Sequence, residues 1–330
     1  MNKLVLGIDG GGTKTQCALF DICGNELDMI NWGPTNHETL KDGYKSLKME
    51  LEKLIHFVLQ KNHIRQEQIE RSVVGMAGVD TKEQHGIISG IITEMGFKDF
   101  LLCNDAYLVI KAGSPDGCGI GVVNGTGCSV AGIDYTGRML QVGGQGNMTG
   151  DLGGGVYLGE QVIRSVYDYF FRCGQYTLML ELLPEALKVE SKYDFMDTVR
   201  RKIDDRTISA SELNKIVFEA ANAGDRVAVD ILEVVGKELA ASVNGILKEL
   251  EFDIGRQIPV VLAGSINTKG NSPVLVDKIR RDILAVNAGK DIKLTVLDKP
   301  PVLGAVIWAL EGLAEREDIV DRFFGRSSYA

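Results

Sequence analysis

Residues 4–21 read Leu-Val-Leu-Gly-Ile-Asp-Gly-Gly-Gly-Thr-Lys-Thr-Gln-Cys-Ala-Leu-Phe-Asp, and this stretch decides the fold. Apolar residues at 4–8 and 15–20 predict two strands, and the three glycines between them predict a tight turn. Only glycine takes positive φ without a steric cost, and bare backbone lets several N–H groups surround one phosphate. A hairpin without a ligand rarely needs three glycines and an aspartate, so the stretch predicts a phosphate-binding turn.

Polar side chains flank the glycines of this turn. Thr13 adds a hydroxyl donor, and Lys14 adds a positive charge. Asp9 ends the first strand and is expected to hold a hydrated Mg²⁺ ion, because Mg²⁺ keeps several waters and binds one or two carboxylates. The residues of this turn that are expected to contact nucleotide phosphates are Gly10, Gly11, Gly12, Thr13 and Lys14.

The turn joins two strands, whereas the P-loop and the dinucleotide fingerprint both open a helix. A phosphate turn between strands resembles that of the actin, sugar-kinase and Hsp70 class of phosphotransferases. A second turn, Asn-Gly-Thr-Gly-Cys-Ser at 124–129, lies between strands predicted at 119–124 and 129–134. Its Thr126 and Gly127 resemble the second phosphate loop of the same superfamily. Two opposing hairpins can hold a triphosphate from both sides, so the pair is a stronger signal than either turn alone.

The pattern of three strands linked by glycine turns and followed by helices occurs twice in the chain. This repetition predicts an α/β protein of two similar halves that face a cleft, and 330 residues are enough for two domains. The Ser-Pro-Asp-Gly turn at 114–117 is the predicted hinge. We therefore expect domains at 1–115 and 116–330, the second with a helical insertion at about 156–251.

Composition excludes several classes of partner. The net charge of −9 is spread along the chain, which argues against a nucleic acid or an anionic membrane surface as the partner. No signal-peptide h-region and no run suited to a membrane helix is visible, so we expect a cytoplasmic protein. The six cysteines lack metal-ligand spacing and are expected to be reduced thiols.

Asp105 is the candidate general base. It follows a short apolar strand predicted at 100–103, and the carboxyl end of such a strand delivers side chains into a cleft. A carboxylate there suits proton abstraction from a substrate hydroxyl during phosphoryl transfer. The alternative is that Asp105 caps the helix that follows, because aspartate is a favoured N-cap residue.

Three further positions carry candidate binding groups. Asp151 precedes a helix predicted at 153–172 and can bind sugar hydroxyls, hold a metal-bound water or cap that helix. Asn36, in the loop after the third strand, can bind a sugar or form an Asx turn. Gly264 and Ser265 follow a buried strand and resemble the adenosine motif of the superfamily.

Taken together, the chain resembles the N-acetylglucosamine kinase-like branch of the BadF/BadG/BcrA/BcrD ATPase family, from Gly7 to about Leu313. The motifs that carry the resemblance are Gly-Ile-Asp-Gly-Gly-Gly-Thr-Lys-Thr at 7–15, Thr-Asn-His at 35–37, Asn-Asp-Ala at 104–106, Asn-Gly-Thr-Gly at 124–127, Gly-Gly-Gln-Gly at 143–146, Gly-Asp at 150–151 and Ala-Gly-Ser at 263–265.

The resemblance implies two actin-like (ribonuclease H-like) domains around a nucleotide cleft. It implies an ATP-dependent kinase that uses Mg²⁺ and phosphorylates the 6-hydroxyl of an amino sugar such as N-acetylglucosamine, with Asp105 as the base. Family members are commonly dimers, so a homodimer is expected. The residues that the resemblance places at the sugar are Asn36, Gly144, Gln145, Gly146 and Asp151, and those at the nucleotide include Thr13, Thr126 and Ser265.

The sugar loop departs from the family pattern. The family usually reads Gly-Gly-Trp-Gly-His and then Gly-Asp-Glu-Gly-Ser, whereas this chain has Gln145, Asn147, Leu152 and Gly154 in place of the tryptophan, histidine, glutamate and serine. A kinase is therefore a firmer expectation than any named sugar.

Two alternatives stay open at this point. One is the dehydratase-activator branch of the same family, which couples ATP hydrolysis to electron transfer from an iron–sulfur cluster, with Cys128 and Cys173 as available ligands. The other is a non-catalytic nucleotide or sugar sensor on a kinase fold.

Overall fold

The computed structural model describes residues 3–205, 207–253, 255–270 and 272–325. Strands from the first third of the chain form a five-stranded sheet of order β3-β2-β1-β4-β5. β1 is buried along nearly its whole length, as expected of a central strand, and it pairs antiparallel to β2 and parallel to β4. The strands are β1 (Leu4–Gly10), β2 (Thr15–Asp21), β3 (Glu26–Trp32), β4 (Ile69–Met76) and β5 (Phe100–Cys103).

A second sheet repeats this arrangement in the order β10-β9-β6-β7-β8. Its central strand β6 pairs antiparallel to β7 and parallel to β9, as β1 does with its own neighbours. The predicted α/β class with two similar halves is therefore confirmed. The strands are β6 (Gly119–Asn124), β7 (Cys128–Ile133), β8 (Met139–Gly143), β9 (Ile258–Ala263) and β10 (Ile292–Val296).

Three helices accompany the first sheet: α1 (Tyr44–Lys61), α2 (Lys82–Glu94) and α3 (Asp105–Gly113). The leucine stripe of α1 is buried against the sheet, as its spacing predicts. The leucine spacing predicts a helix from about Glu38 to Asn62, but the helix begins six residues later than Glu38, because turns occupy the residues before it and Gly43 has a φ of 56°. Glycine takes that φ without cost, but an α-helix cannot continue through it.

Nine helices of the described residues follow β8. The predicted helical insertion consists of α4 (Gly154–Phe171), α5 (Met179–Leu187), α6 (Phe195–Asp204), α7 (Ala210–Asn222) and α8 (Arg226–Glu249). The remaining helices are α9 (Ser265–Lys269), α10 (Pro273–Val286), α11 (Val302–Leu310) and α12 (Arg316–Phe324). None of the helices in the described ranges is long and apolar enough to span a bilayer.

Helices α3 and α11 form a layer between the two sheets. A Cβ on Gly304 of α11 would collide with the Leu108 carbonyl of α3, so these helices approach each other backbone to backbone. A Cβ on Gly7 of β1 would lie 3.0 Å from Val306 of α11, and one on Gly121 of β6 would collide with the Ala106 carbonyl of α3. The chain thus returns to the first sheet after completing the second, and the domain boundary near residue 115 stays a prediction.

Candidate active site

The β1–β2 hairpin ends in an open backbone tip. Gly10 pairs with Thr15 at the end of the ladder, and the Gly11 N–H donates to the Lys14 carbonyl at 3.0 Å, which closes the turn. Among the described residues, the backbone N–H groups of residues 12–14 have no hydrogen-bond partner. The turn therefore offers three consecutive donors to an anion, although Gly10, Gly11 and Gly12 do not take the positive φ that glycine permits.

The loop after β3 holds this tip in place. The N–H groups of Thr35 and Asn36 both donate to the Gly11 carbonyl, at 3.1 and 3.3 Å. The hydroxyl oxygens of Thr35 and Thr15 are 2.8 Å apart and buried. A Cβ on Gly10 would lie 2.6 Å from the Thr35 hydroxyl oxygen, so close packing also requires glycine at this position.

Asn36 is buried beside the tip, with 7% of its surface exposed. Its Oδ1 accepts the Glu38 N–H at 2.9 Å, so the Asx turn is confirmed and a contact between Asn36 and a sugar stays a prediction. The neighbouring His37 ring stacks on Tyr44 with ring centroids 4.1 Å apart, and burial lowers the pKa of this imidazole. His37 is therefore neutral at neutral pH and adds no charge here.

The β6–β7 hairpin tip is packed against the start of α4. Asn124 Oδ1 accepts the Gly154 N–H at 2.6 Å, and the Gly125 carbonyl accepts the Gly155 N–H at 2.7 Å. These bonds consume donors at the helix start that would otherwise be available to a ligand. In the part of the chain that the structure describes, the N–H groups of Thr126 and Gly127 have no partner, so this tip also offers two donors.

Asn104, and not Asp105, caps helix α3. Asn104 Oδ1 accepts the Ala106 N–H at 2.9 Å, the geometry of an N-cap. The capping role suggested for Asp105 is therefore wrong, because the preceding residue fills it. Asp105 occupies the first position of the helix, half-buried, with its carboxylate available for another task.

Three carboxylates crowd this end of the first sheet. Burial, together with the negative charges of Asp9 and Asp80, raises the pKa of Asp105 to about 8. Burial also raises the pKa of Asp9 to about 6, against the opposing effect of the nearby Lys14 ammonium group. Such mutual repulsion between partly desolvated acids is common where a protein holds a base or a cation.

Asp80 is a site residue that the sequence reasoning missed. It lies just past the carboxyl end of β4, and its Oδ1 accepts hydrogen bonds from Asn104 Nδ2 at 2.9 Å and Gln141 Nε2 at 2.6 Å. The Ser129 hydroxyl donates to Asn104 Oδ1 at 3.2 Å. Residues from both sheets therefore meet in one polar network. The rule that selected Asp105, a carboxylate after an apolar strand, selects Asp80 as well.

Asp151 organises the predicted sugar loop internally. Its Oδ2 accepts the Gln145 N–H and the Thr149 hydroxyl, each at 2.7 Å. Gly153 is the N-cap of α4, so the idea that Asp151 caps this helix is wrong. The loop requires glycine where φ is positive, at Gly143 and Gly144 with values of 81° and 85°. Contacts of this loop with a sugar stay a prediction.

Gly264 borders the second hairpin from the side of β9. It has a φ of 88°, and a Cβ there would collide with the backbone of Asn124. Ser265 is exposed at the start of the short helix α9. Like Thr13 and Lys14, Ser265 makes no side-chain hydrogen bond with any described residue. Their predicted contacts with nucleotide remain predictions.

Cys128 and Cys173 lie near opposite ends of α4. Cys128 lies beside Gly153 at the start of α4, whereas Cys173 follows the end of that 18-residue helix. A helix of this length spans about 27 Å, so these two thiols of one chain cannot ligate the same cluster. Burial also raises the pKa of Cys128 to about 12.

No group of three or more His, Cys, Asp and Glu side chains within the described ranges is placed to hold a metal ion. Asp9 fits Mg²⁺ only as a single carboxylate beside water and phosphate oxygens, which is the usual way that this ion binds at nucleotide sites.

Comparison with known proteins agrees with this geometry. The sequence profile of the BadF/BadG/BcrA/BcrD ATPase family matches residues 6–309. A protein from Clostridium acetobutylicum described as an N-acetylmuramic acid/N-acetylglucosamine kinase is 30% identical over 309 residues, which cover 93% of this chain and 98% of that protein. The N-acetyl-D-glucosamine kinase of Dictyostelium discoideum is 26% identical, with the same coverage of both chains.

Solved structures share the fold. A Chromobacterium violaceum protein assigned as an N-acetylglucosamine kinase superposes with a TM-score of 0.71 at 19% identity, covering 94% of this chain and 99% of the other. A ROK family glucokinase from Streptomyces griseus, solved with glucose and AMPPNP, gives a TM-score of 0.57 at 15% identity, covering 94% and 99%. Both are similar in fold to this chain across nearly its full described length.

Proposed function

Because the chain belongs to the BadF/BadG/BcrA/BcrD ATPase family, we propose that it is an ATP-dependent kinase of an amino sugar. It transfers the γ-phosphate of ATP to the 6-hydroxyl of N-acetylglucosamine or of a relative such as N-acetylmuramic acid. The carrying observation is that Asn104 takes the cap of α3, so that Asp105 lies half-buried at the first position of that helix, near Asp9 at the end of β1.

Phosphoryl transfer depends mainly on positioning and charge neutralisation. The backbone donors of the two tips, at residues 12–14 and 126–127, bind the phosphate chain from opposite sides. One tip belongs to the half of the molecule built on the first sheet (the first lobe) and the other to the half built on the second sheet (the second lobe). Asp105 accepts the proton of the sugar 6-hydroxyl while the hydroxyl oxygen bonds to the γ-phosphorus of ATP. The bond between the γ-phosphorus and the bridging oxygen of the β-phosphate breaks, and ADP is released. Asp9 would hold a hydrated Mg²⁺, and this ion would neutralise charge on the phosphates.

The proton acceptor has the properties that the reaction needs. The raised pKa of Asp105, about 8, makes its carboxylate a stronger base than an exposed aspartate. A base of this kind supplies roughly 10²–10⁴-fold in rate. The sugar binds between Asn36 and the loop 143–151, the residues that the family resemblance places at the sugar.

The test is ADP release with a panel of sugars at saturating ATP. The panel contains N-acetylglucosamine, N-acetylmuramic acid, glucosamine, glucose and 6-deoxy-N-acetylglucosamine. We expect turnover with at least one N-acetylated sugar and none with the 6-deoxy compound. Turnover with the 6-deoxy sugar contradicts the acceptor position, and no turnover with any sugar contradicts the kinase assignment in favour of a sensor.

The Asp105→Asn variant tests the base. We expect kcat to fall by about 10²–10⁴-fold while ATP binding, measured by calorimetry, is retained. The matched control is Asp99→Asn, at the opposite end of β5, where the carboxylate is exposed and pairs with Arg71. Full activity of Asp105→Asn would remove the base assignment.

A further inference from the structure

One oxygen of Asp80 joins the two lobes. Its Oδ1 accepts Nδ2 of Asn104, from the first lobe, and Nε2 of Gln141, from β8 of the second lobe. The shorter of the two contacts, 2.6 Å, is the one that crosses between lobes. Hydrogen bonds to an ionised acceptor are stronger than those between neutral groups, so this carboxylate is an effective bridge.

Each of the two donor residues, Asn104 and Gln141, is next to one part of the proposed site in the sequence. Asn104 caps the helix whose first residue is Asp105, and it therefore fixes the backbone position from which the Asp105 side chain extends. Gln141 is two residues before Gly143, where the loop of the proposed sugar site starts. A Cβ on Gly144 would lie 2.6 Å from Asp80 Oδ1 and 3.0 Å from Gln141 Nε2, so the loop backbone packs directly on this bridge.

Asp80 is itself held rigidly. Its N–H and that of Thr81 both donate to Gln84 Oε1, at 2.9 Å each, and the Thr81 hydroxyl accepts the Gln84 N–H in a capping box. The residue is thus fixed to the first turn of α2. A rigid acceptor with two donors from different lobes sets the distance between whatever those donors carry.

We propose that Asp80 is a positioning residue that aligns the sugar loop of the second lobe with the base helix of the first. The inference rests on the proposed function. Asp80 acts through Asn104 and Gln141 and touches neither the phosphate nor the reacting hydroxyl. When both hydrogen bonds to Asp80 are formed, the sugar hydroxyl and Asp105 are both positioned relative to this one residue. A misplacement of about 1 Å in such an alignment costs about 10²-fold in rate.

The kinetic test compares Asp80→Ala, Gln141→Leu and the double variant, with the ATP and sugar concentrations each varied in turn. Each single variant should lower kcat by about 10- to 100-fold with an unchanged KM for ATP, because the hairpin tips that bind phosphate are untouched. The double variant should lose no more than Asp80→Ala alone, since both changes break one bridge. Asp80→Asn, which keeps an oxygen acceptor, should restore most of kcat.

Gln66→Leu is the matched control, because the Gln66 amide donates to the Met95 carbonyl at 2.9 Å within the first lobe alone. It makes the same chemical change without touching the bridge, so kcat should stay at the wild-type value. Additive losses in the double variant, or equal losses in Gln66→Leu and Gln141→Leu, would overturn the proposal, because both point to general loss of stability.

Hydrogen exchange gives a readout that does not need activity. Asp80→Ala should speed exchange at residues 141–150 and also at 105–108, in opposite lobes, whereas Gln66→Leu should change neither segment. Faster exchange near α2 alone would overturn the inference. If the wild-type protein releases no ADP with any sugar, the kinase proposal fails, and hydrogen exchange still decides whether Asp80 aligns the two segments.

Discussion

Asn104 and Asp105, two adjacent residues after β5, have different roles. Asparagine and aspartate are about equally good N-caps, so the sequence Asn104-Asp105 alone does not say which of them caps the helix. In the structure Asn104 makes the cap and also bonds to Asp80 and Ser129. Asp105 is not the N-cap, and its carboxyl group interacts with Asp9, Asp80 and the N–H groups at the start of the helix.

This charge crowding predicts a pH dependence. The negative charge of Asp80 raises the pKa of Asp105, and a base must be deprotonated to act, so wild-type kcat/KM for the sugar should rise with pH towards about 8. The Asp80→Asn variant removes that charge and therefore lowers the pKa of Asp105. The rising limb of its pH profile should lie at lower pH than in the wild type, whatever the plateau value.

The control for this profile is Asp318→Asn on α12, an exposed carboxylate far along the chain from the cleft. Its rising limb should coincide with that of the wild type. A profile for Asp80→Asn that lies at the wild-type pH or higher would show that Asp80 does not act on the titrating base.

At the scale of helices and strands, local pattern was sufficient for most elements. The strands predicted at 100–103 and 119–124 have those bounds in the structure, because both short apolar runs end at asparagine. The α12 helix was not predicted, since its Glu- and Asp-rich sequence has little apolar periodicity. The bridge from Asp80 to Gln141 was beyond prediction, because it depends on how two separate sheets approach each other.

Glycines at hairpin and strand ends allow a matched test of packing. Gly264 and Gly289 have φ values of 88° and 98°, so alanine is strained at both, and the ψ of 155° at Gly264 adds to the strain there. A Cβ on Gly264 would also collide with Asn124, whereas one on Gly289 meets nothing within 4 Å. Gly264→Ala should therefore lose about 1–3 kcal/mol more unfolding free energy than Gly289→Ala.

The same pair of variants tests the second hairpin tip. Displacing Asn124 moves the turn at 125–127, so Gly264→Ala should raise the KM for ATP while Gly289→Ala leaves it unchanged. Urea unfolding and steady-state kinetics give the two readouts. Equal unfolding free energies for both variants would mean that the collision is relieved without moving the tip.

At the scale of the whole molecule, the two lobes join through α3 and α11. Repetition of the strand pattern in sequence predicted two halves, but no local signal showed that α11 would return to pack on β1. That packing is long-range, and it needs glycine at positions 7 and 304 for the close approach. The polar groups at the rim of this junction include Asp116 in the connecting turn, which pairs with Arg256 and Arg316.

Lys111 and Glu311 form the most buried ion pair of this junction among the described residues. Lys111 Nζ on α3 donates to both carboxylate oxygens of Glu311, just after α11, at 2.7 and 2.9 Å. The Lys111 side chain is 9% exposed, whereas that of Glu311 is 41% exposed. An ammonium group left unpaired in such a position is costly, but a carboxylate that reaches water is not.

Both single substitutions should lower the unfolding free energy, and Glu311→Gln should lower it more than Lys111→Met. Glu311→Gln leaves Lys111 buried without a counter-charge and should lower the unfolding free energy by about 3 kcal/mol. Lys111→Met keeps the apolar stem, leaves Glu311 solvated and should cost about 1 kcal/mol, much of it from the lost contact with the Trp308 ring, whose centroid lies 4.8 Å from Nζ. The double variant should recover most of the stability lost in Glu311→Gln, because no charge is then stranded. Urea unfolding of the three variants measures this, and a double variant as unstable as Glu311→Gln would show that the carboxylate stabilises the junction by some means other than pairing with Lys111.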